Sequence, residues 1–409
     1  MQWIHNEGFV DGVALSEIAE KVGTPCYVYS EKEISDRCQE LLDAFSGYPT
    51  LPCFAVKANS NLSILKLIFS KGLGADIVSQ GELERVLAAG VDPQKIVFSG
   101  VGKSGAELKR AVEIGIKVIN IESVGELALL QDAGKAWNKT VSIAIRINPN
   151  IDVKTNPYIA TGLYSTKFGI AETEMDAVLE LIRKSPNLKL TGLSCHLGSQ
   201  IMETGPFSEA SQRMVQLCEQ LRGRGFDLDH IDLGGGLGIQ YEDDKPPSFK
   251  EYAGVLTQRL KGTNLQLLIE PGRSIVGKAG TLLTRVMNIK QSPQKTFVIV
   301  DAAMTELIRP SLYEAYHPIL SVSQSTGSKI TADVVGPVCE TGDILGTERT
   351  FSGVKPGSLL GIECAGAYGS SMSSHYNTRP KAPEVLVSGS QFKVIRKRES
   401  FQDLWKLES

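Results

Sequence analysis

The stretch LPCFAVKANSN, residues 51–61, begins as a strand and ends on an amine. Leu51, Cys53, Phe54, Ala55 and Val56 make an apolar run of strand length, and Lys57 stands at its end. Lysine is seldom fully buried without a partner or a task. Seven similar runs follow: GADIVS, KIVFSG, KVINIES, SIAIRINP, LTGLSCHLG, HIDLGGG and LQLLIEPG. They begin near residues 74, 95, 117, 142, 190, 230 and 265. The early spacing, about 20 to 25 residues, is that of one strand, one helix and two short loops. SQGELERVLAAG and SVGELALLQDAG read as helices, each with a serine start and a glycine stop, at Gly90 and Gly134. Strands apolar throughout, alternating with helices, predict a parallel sheet covered on its outside. Eight such units over roughly 250 residues match a closed (β/α)8 barrel. An open doubly wound sheet is the alternative.

The chain reads differently beyond residue 275. TLLTRVMNIKQ, KTFVIVD, KITADVVGPVC, SLLGIECAGAYG and PEVLVSGSQFKVIRKRES are runs rich in Val, Ile and Thr, broken by Gly, Pro and Ser. They predict an all-β domain, a sandwich or small Greek-key barrel. The expected organisation is a barrel over residues 31–275 and a β domain over 276–409. Residues 1–30, with PCYVYS, are expected to join the β domain, because the barrel count is complete without them. The long insertion NIDVKTNPYIATGLYSTKFGIAETEMD has the length of a functional loop.

Composition narrows the class. The 409 residues carry a formal net charge of -3, which gives no footing for nucleic acid or an anionic membrane. Seven scattered cysteines without a CxxC pair, and five dispersed histidines, suggest neither a disulfide scaffold nor a metal site. Free thiols fit a reducing cytosol. The first residues are acidic and lack a long apolar run, so no signal peptide is expected. No stretch approaches the ~20 apolar residues that span a bilayer.

Barrel chemistry sits at the C-terminal mouths of the strands. The eight runs end on Lys57, Asp76, Ser99, Glu122, Arg146 with Asn148, His196 with Ser199, Gly234-Gly235-Gly236, and Glu270 with Arg273. Each alone has an ordinary reading. Lys57 can snorkel to solvent, Asp76 can cap a helix, His196 can be a core histidine, and the glycines can make a tight turn. Together they ask for one cofactor. A desolvated lysine forms Schiff bases, a glycine turn bares N–H groups for a phosphate, Glu270 suits a pyridine nitrogen, and His196 offers a face to a flat ring. That inventory is the one a pyridoxal phosphate enzyme needs.

The motifs FAVKAN, HLGSQI, DLGGGLGI, EPGR, RPSLYEAYH, CETGD and GAYGSSMSSHYNTRP occur in one order along nearly the whole chain. In them the chain resembles the fold-type III pyridoxal phosphate decarboxylases, whose barrel is that of the alanine racemases. The branch acting on meso-2,6-diaminopimelate is nearest. The resemblance implies a barrel plus a C-terminal β domain and the release of carbon dioxide to leave L-lysine. It implies that Lys57 carries the cofactor, Asp76 pairs with the amine, and His196 stacks on the ring. Ser199, Gly235 and Gly236 would hold the phosphate, aided by backbone around Gly272, Arg273 would also contact the cofactor, and Glu270 would hold the ring nitrogen. Tyr368 would touch phosphate and substrate. Cys339 would donate a proton from the other subunit of a head-to-tail dimer. The insertion departs from the family pattern, with Asn156 and Ala160 where His and Ser are expected.

Substrate choice turns on the far end of the molecule. Lysine or ornithine has only an amine there, whereas diaminopimelate adds a carboxylate. Arg273, Arg309, Tyr313 and Tyr368 supply donors for it, and the fork of a guanidinium suits a carboxylate. Glu340 supplies an acceptor for the distal ammonium. Rival readings are a decarboxylase of lysine, ornithine or a carrier-bound amino acid, a racemase on the same barrel, and a regulatory paralogue without catalysis.

Overall fold

The computed structural model describes residues 1–153, 155–159, 161–162 and 166–408. The departure at Ala160, and part of the long insertion, lie outside these residues. The chain forms two compact units. One comprises residues 37–239 and 245–274; the other comprises 1–36, 240–244 and 275–409.

The first unit is a closed barrel of eight parallel strands, as the eight apolar runs predict. In chain order they are Thr50–Ala55, Gly74–Ile77, Ile96–Phe98, Val118–Ile121, Val141–Arg146, Leu188–Ser194, His230–Asp232 and Gln266–Ile269. The eighth closes on the first, with Leu267, Leu268 and Ile269 opposite Thr50, Leu51 and Pro52. Closure leaves no open edge, so every strand finds backbone partners on both sides. Leu51, Cys53, Val97, Val118, Ala144 and Leu268 pack as one buried cluster. They come from five different strands, which is how a small barrel fills its interior with side chains instead of a pore.

Local sequence sets the outer helices. Ser79, Ser104 and Ser248 each accept a hydrogen bond from an N–H in the first turn of the helix they start. Such caps contribute about 1 kcal/mol each. The helix over SVGELALLQDAG does not stop at Gly134 as its sequence suggests. It runs from Val124 to Trp137 and ends at Asn138, whose φ of 48° is left-handed. Asparagine tolerates that conformation and does the work expected of a glycine.

Helix Glu31–Phe45 precedes the first barrel strand, yet its C-terminal part belongs to the barrel's outer layer. Arg37 lies over the ring of Phe249 at 4.2 Å, and Phe45 meets Tyr252 edge-on at 5.9 Å. Both partners belong to helix Phe249–Leu260, which follows the seventh strand. The eighth strand is followed only by the short helix Arg273–Val276. A helix from ahead of the barrel thus covers the ground that a full eighth helix would cover.

The second unit is mostly sheet. Its spine is the twelve-residue strand Gly280–Gln291. The first part of that strand pairs with Cys26–Ser30 on one side and Leu359–Ile362 on the other, and the remainder pairs with Thr296–Val300. Cys26–Ser30 also pairs with Glu384–Ser388, in parallel. Strand Ile344–Ser352 pairs with Lys329–Val335; its Glu348 and Arg349 break the apolar pattern and hide it in the sequence. Val28, Leu283, Val385 and Val387 pack with Val10, Leu15 and Ile18 of the N-terminal segment in one core.

If helix Glu31–Phe45 closes the barrel's outer layer, Phe45→Ala costs about 3–5 kcal/mol. A fall of that size in urea-derived unfolding free energy is expected; a loss below about 1 kcal/mol would mark the helix as peripheral.

Candidate active site

The first barrel strand ends at Ala55, and a single 3-10 turn, Val56–Ala58, carries Lys57 over the barrel mouth. Asn61 then caps the next helix by accepting from Ser63 N–H. The turn sits tightly against the loop after the eighth strand. Ala55 N–H donates to Pro271 O at 3.0 Å. A Cβ on Gly272 would lie 3.1 Å from those of both Ala55 and Ala58.

Lys57 Nζ donates to Asp76 Oδ2 at 3.0 Å. Asp76 is fully buried on the second strand, whereas the Lys57 side chain keeps 34% of its exposure. The second oxygen, Asp76 Oδ1, is buried without a hydrogen-bond partner. A buried acceptor left unpaired costs about 1–3 kcal/mol, so its persistence calls for an explanation.

Glu270 follows the eighth strand and is buried. Its Oε1 accepts from Ser99 Oγ at 3.2 Å, and Ser99 Oγ accepts from Asn120 Nδ2 at 3.1 Å. Asn120 Nδ2 also donates to Asp232 Oδ2 at 3.0 Å. Burial first, and then the negative charges of Asp232 and Asp76, push the Glu270 carboxyl well above its ordinary range. Three buried carboxyl groups therefore surround the mouth, with the Lys57 ammonium as the cation paired to one of them.

His196 lies just beyond the sixth strand. Gly235 N–H donates to His196 Nδ1 at 3.1 Å, which places the ring proton on Nε2. Burial, then the positive charges of Lys57 and Arg146, hold the imidazole well below its usual pKa. The ring is neutral, so its 3.7 Å approach to Glu270 is not an ion pair. The glycine turn after the seventh strand has no room for side chains. A Cβ on Gly235 would fall 2.0 Å from Glu270 O, and Gly236 has a φ of 108° with Gly198 O 2.4 Å from its Cβ position. Ser199 Oγ accepts from Arg273 Nη2 at 3.0 Å.

A cavity of about 380 Å³ is lined by Lys57, Ser99, Asn120, Arg146, His196 and Glu270, with Phe168 and Thr161 on its wall, whereas Asp76, Ser199, Arg273 and the glycine turn lie outside its lining. Arg146 is fixed there by Glu122 at 2.5 Å and lies over the Phe168 ring at 4.6 Å. Glu122 also accepts from the N–H groups of Gly100 and Gly169. Asn120 and Asp232 escape a reading confined to strand ends. Their signal is a polar residue inside an apolar run, in KVINIES and HIDLGGG.

The other predicted residues lie in the second unit. Arg309 is buried, and its Nη1 donates to Tyr241 Oη at 2.9 Å and to His317 Nε2 at 2.7 Å. His317 Nδ1–H in turn donates to Glu363 O at 2.8 Å. Tyr313 ends the short helix Arg309–Tyr313, and Tyr368 holds a left-handed φ of 56°. Cys339 is the exposed cysteine, and the other six are buried. Its N–H donates to Asn377 Oδ1, and neighbouring Glu340 accepts from Tyr376 Oη at 3.1 Å.

A primary amine on a carboxylate, an acid surplus, an unpaired acceptor and a glycine cradle suit a flat, aldehyde-bearing heterocycle with a basic nitrogen and a phosphate. The comparisons agree. Residues 31–277 match the family model for the pyridoxal binding domain of pyridoxal-dependent decarboxylases. The diaminopimelate decarboxylase of Pseudomonas aeruginosa is 48% identical over 403 residues, 98% of this chain and 97% of that protein. The Helicobacter pylori diaminopimelate decarboxylase, solved with L-lysine, superposes with a TM-score of 0.93 at 43% identity, over 96% of this chain and 98% of that one. The M. jannaschii diaminopimelate decarboxylase, also solved with L-lysine, gives 0.95 at 35% identity, over 100% of this chain and 97% of that one. The chain belongs to the diaminopimelate decarboxylase family of pyridoxal-dependent enzymes.

Proposed function

We propose that this protein removes carbon dioxide from meso-2,6-diaminopimelate to give L-lysine, the last step of lysine biosynthesis, using pyridoxal 5′-phosphate. The observation that carries this reading is the Lys57–Asp76 contact beside buried Glu270, in a chain nearly half identical to named diaminopimelate decarboxylases. Bound at the mouth, pyridoxal phosphate supplies an electron sink for the carbon that loses its carboxylate.

The chain's own residues do the rest. Lys57 holds the cofactor through its amine, and Asp76 keeps a proton at that nitrogen. Glu270 secures the ring nitrogen in its protonated form. Neutral His196 packs on the ring without adding a competing charge. Ser199, Gly235, Gly236, Gly272 and Arg273 receive the phosphate, with Tyr368 touching both phosphate and substrate. Arg309, Tyr313 and Arg273 hold the distal carboxylate, and Glu340 the distal ammonium. Cys339 returns a proton to the α-carbon. The exposure of Cys339 and Glu340 supports their serving a second copy of the chain in a homodimer. Free thiols, together with the lack of any membrane-spanning helix among the described residues, support a cytoplasmic site of action.

Assay with the meso, LL and DD isomers is expected to give L-lysine and carbon dioxide from meso-diaminopimelate. Arg309→Lys keeps the charge but loses the fork, and should raise KM for diaminopimelate about 10- to 100-fold. If any slow turnover of free lysine falls in parallel, the assignment of the distal carboxylate to Arg309 is wrong.

Sharing of sites has its own test. Lys57→Ala and Cys339→Ala should each lower kcat at least ~10²-fold as homodimers. Mixed and reassociated, they should regain activity, because one site per mixed dimer then holds both native groups. No recovery would place Cys339 in its own subunit's site.

A further inference from the structure

Asp232 ends the seventh barrel strand and is fully buried. Nothing in the reaction above uses it. Its two oxygens are tied down separately: Oδ1 accepts from Gly234 N–H at 2.9 Å, and Oδ2 from Asn120 Nδ2 at 3.0 Å. The loop after Asp232 is tied to Glu270 through the backbone, where Glu270 N–H donates to Gly234 O at 2.8 Å. After burial, the negative charge of Asp232 is the largest influence on the Glu270 carboxyl and raises its pKa. Two neighbouring buried carboxyl groups favour holding a proton on one of them.

The surroundings bear on which member of the pair is protonated. Glu270 faces Lys57 beyond the first strand, Asp76 on the second, Ser99 beyond the third, His196 beyond the sixth and Asp232 on the seventh, and Asn120 on the fourth reaches it through Ser99. Arg146, on the fifth, acts on His196 and is paired to Glu122. Lys57 is paired to Asp76. Among the described residues no cation is hydrogen-bonded to either member of the pair, and two adjacent buried carboxylates repel strongly. Asp232 has fixed donors on both oxygens, which favour its charged form. Glu270 has one neutral hydroxyl donor, so of the two it is the one that burial and its neighbour's charge push further toward the neutral form.

We propose that Asp232 is a positioning residue for Glu270: the pair holds one shared proton, and anchored Asp232 keeps the Glu270 carboxyl oriented to hand that proton to a basic ring nitrogen at the barrel mouth. In that transfer the proton leaves a Glu270 oxygen for the nitrogen lone pair. Glu270 becomes a carboxylate and the ring gains the positive charge, so no proton is drawn from solvent. The acid surplus at the mouth is then met by a cation. This inference rests on the reading that the mouth receives pyridoxal phosphate, but not on which amino acid is decarboxylated.

Infrared difference spectroscopy on the full-length protein tests it without an activity assay. The C=O stretch of a protonated carboxylic acid should be present at neutral pH in the cofactor-free chain and absent in Glu270→Gln. It should disappear when pyridoxal 5′-phosphate is added. In Asp232→Asn the neighbouring charge is gone, so the band's pH midpoint should fall by about one unit or more. Asp232→Ser should shift it the same way, and serves if the amide variant does not fold, as judged by circular dichroism. A band missing from the wild type, one that survives cofactor addition, or a midpoint unmoved in a folded Asp232 variant would overturn the proposal. Absence of cofactor binding altogether would instead defeat the pyridoxal reading itself.

Discussion

Desolvation of acid at the barrel mouth governs this structure. Asp76, Asp232 and Glu270 are all buried there, and an isolated ionised carboxylate in such surroundings is costly unless paired. Lys57 meets the charge of Asp76 directly. Hydrogen bonds from Ser99, Asn120 and Gly234 spread over the other two. The arrangement is strained electrostatically as it stands, with Asp76 Oδ1 unpaired and Glu270 pushed toward its neutral form. A cationic ring held beside Glu270 would offset the charge these acids carry when ionised, and the fold holds the acids in place in advance.

The barrel explains how so many polar groups can be kept in that position. The three acids come from the second, seventh and eighth strands, and each strand is locked by two parallel neighbours. Apolar residues such as Val97, Val118 and Leu268 fill the barrel interior as one buried cluster. The glycine turn serves the same end. Gly235 and Gly236 admit backbone so close to Glu270 and Gly198 that any side chain would displace the groups being positioned. Rigid elements supporting a small polar set are what preorganised catalysis requires.

Much of this is legible in the sequence, because fully buried parallel strands write themselves as continuous apolar runs. The residues that close those runs, from Lys57 to Glu270, are the ones the barrel gathers around its mouth. What stays hidden has physical causes. Helix Glu31–Phe45 covers the barrel through Arg37 and Phe45, contacts with a helix some 200 residues away in the chain that no local pattern records. Strand Ile344–Ser352 carries outward charges and does not read as a strand. The stop expected at Gly134 fails because the helix gains another turn and Asn138 adopts the left-handed form instead. Asn120 and Asp232 look like interruptions of apolar strands, and only their hydrogen bonds to each other and to Ser99 and Gly234 give them meaning.

The central claim is that Lys57, Glu270 and the glycine turn enclose one molecule of pyridoxal phosphate. Borohydride reduction of the loaded protein, followed by peptide mass spectrometry, addresses it most directly. The account predicts a phosphopyridoxyl group on the peptide that contains Lys57 and on no other lysine. A label found elsewhere in the chain, or none on a protein shown to be folded, would contradict it.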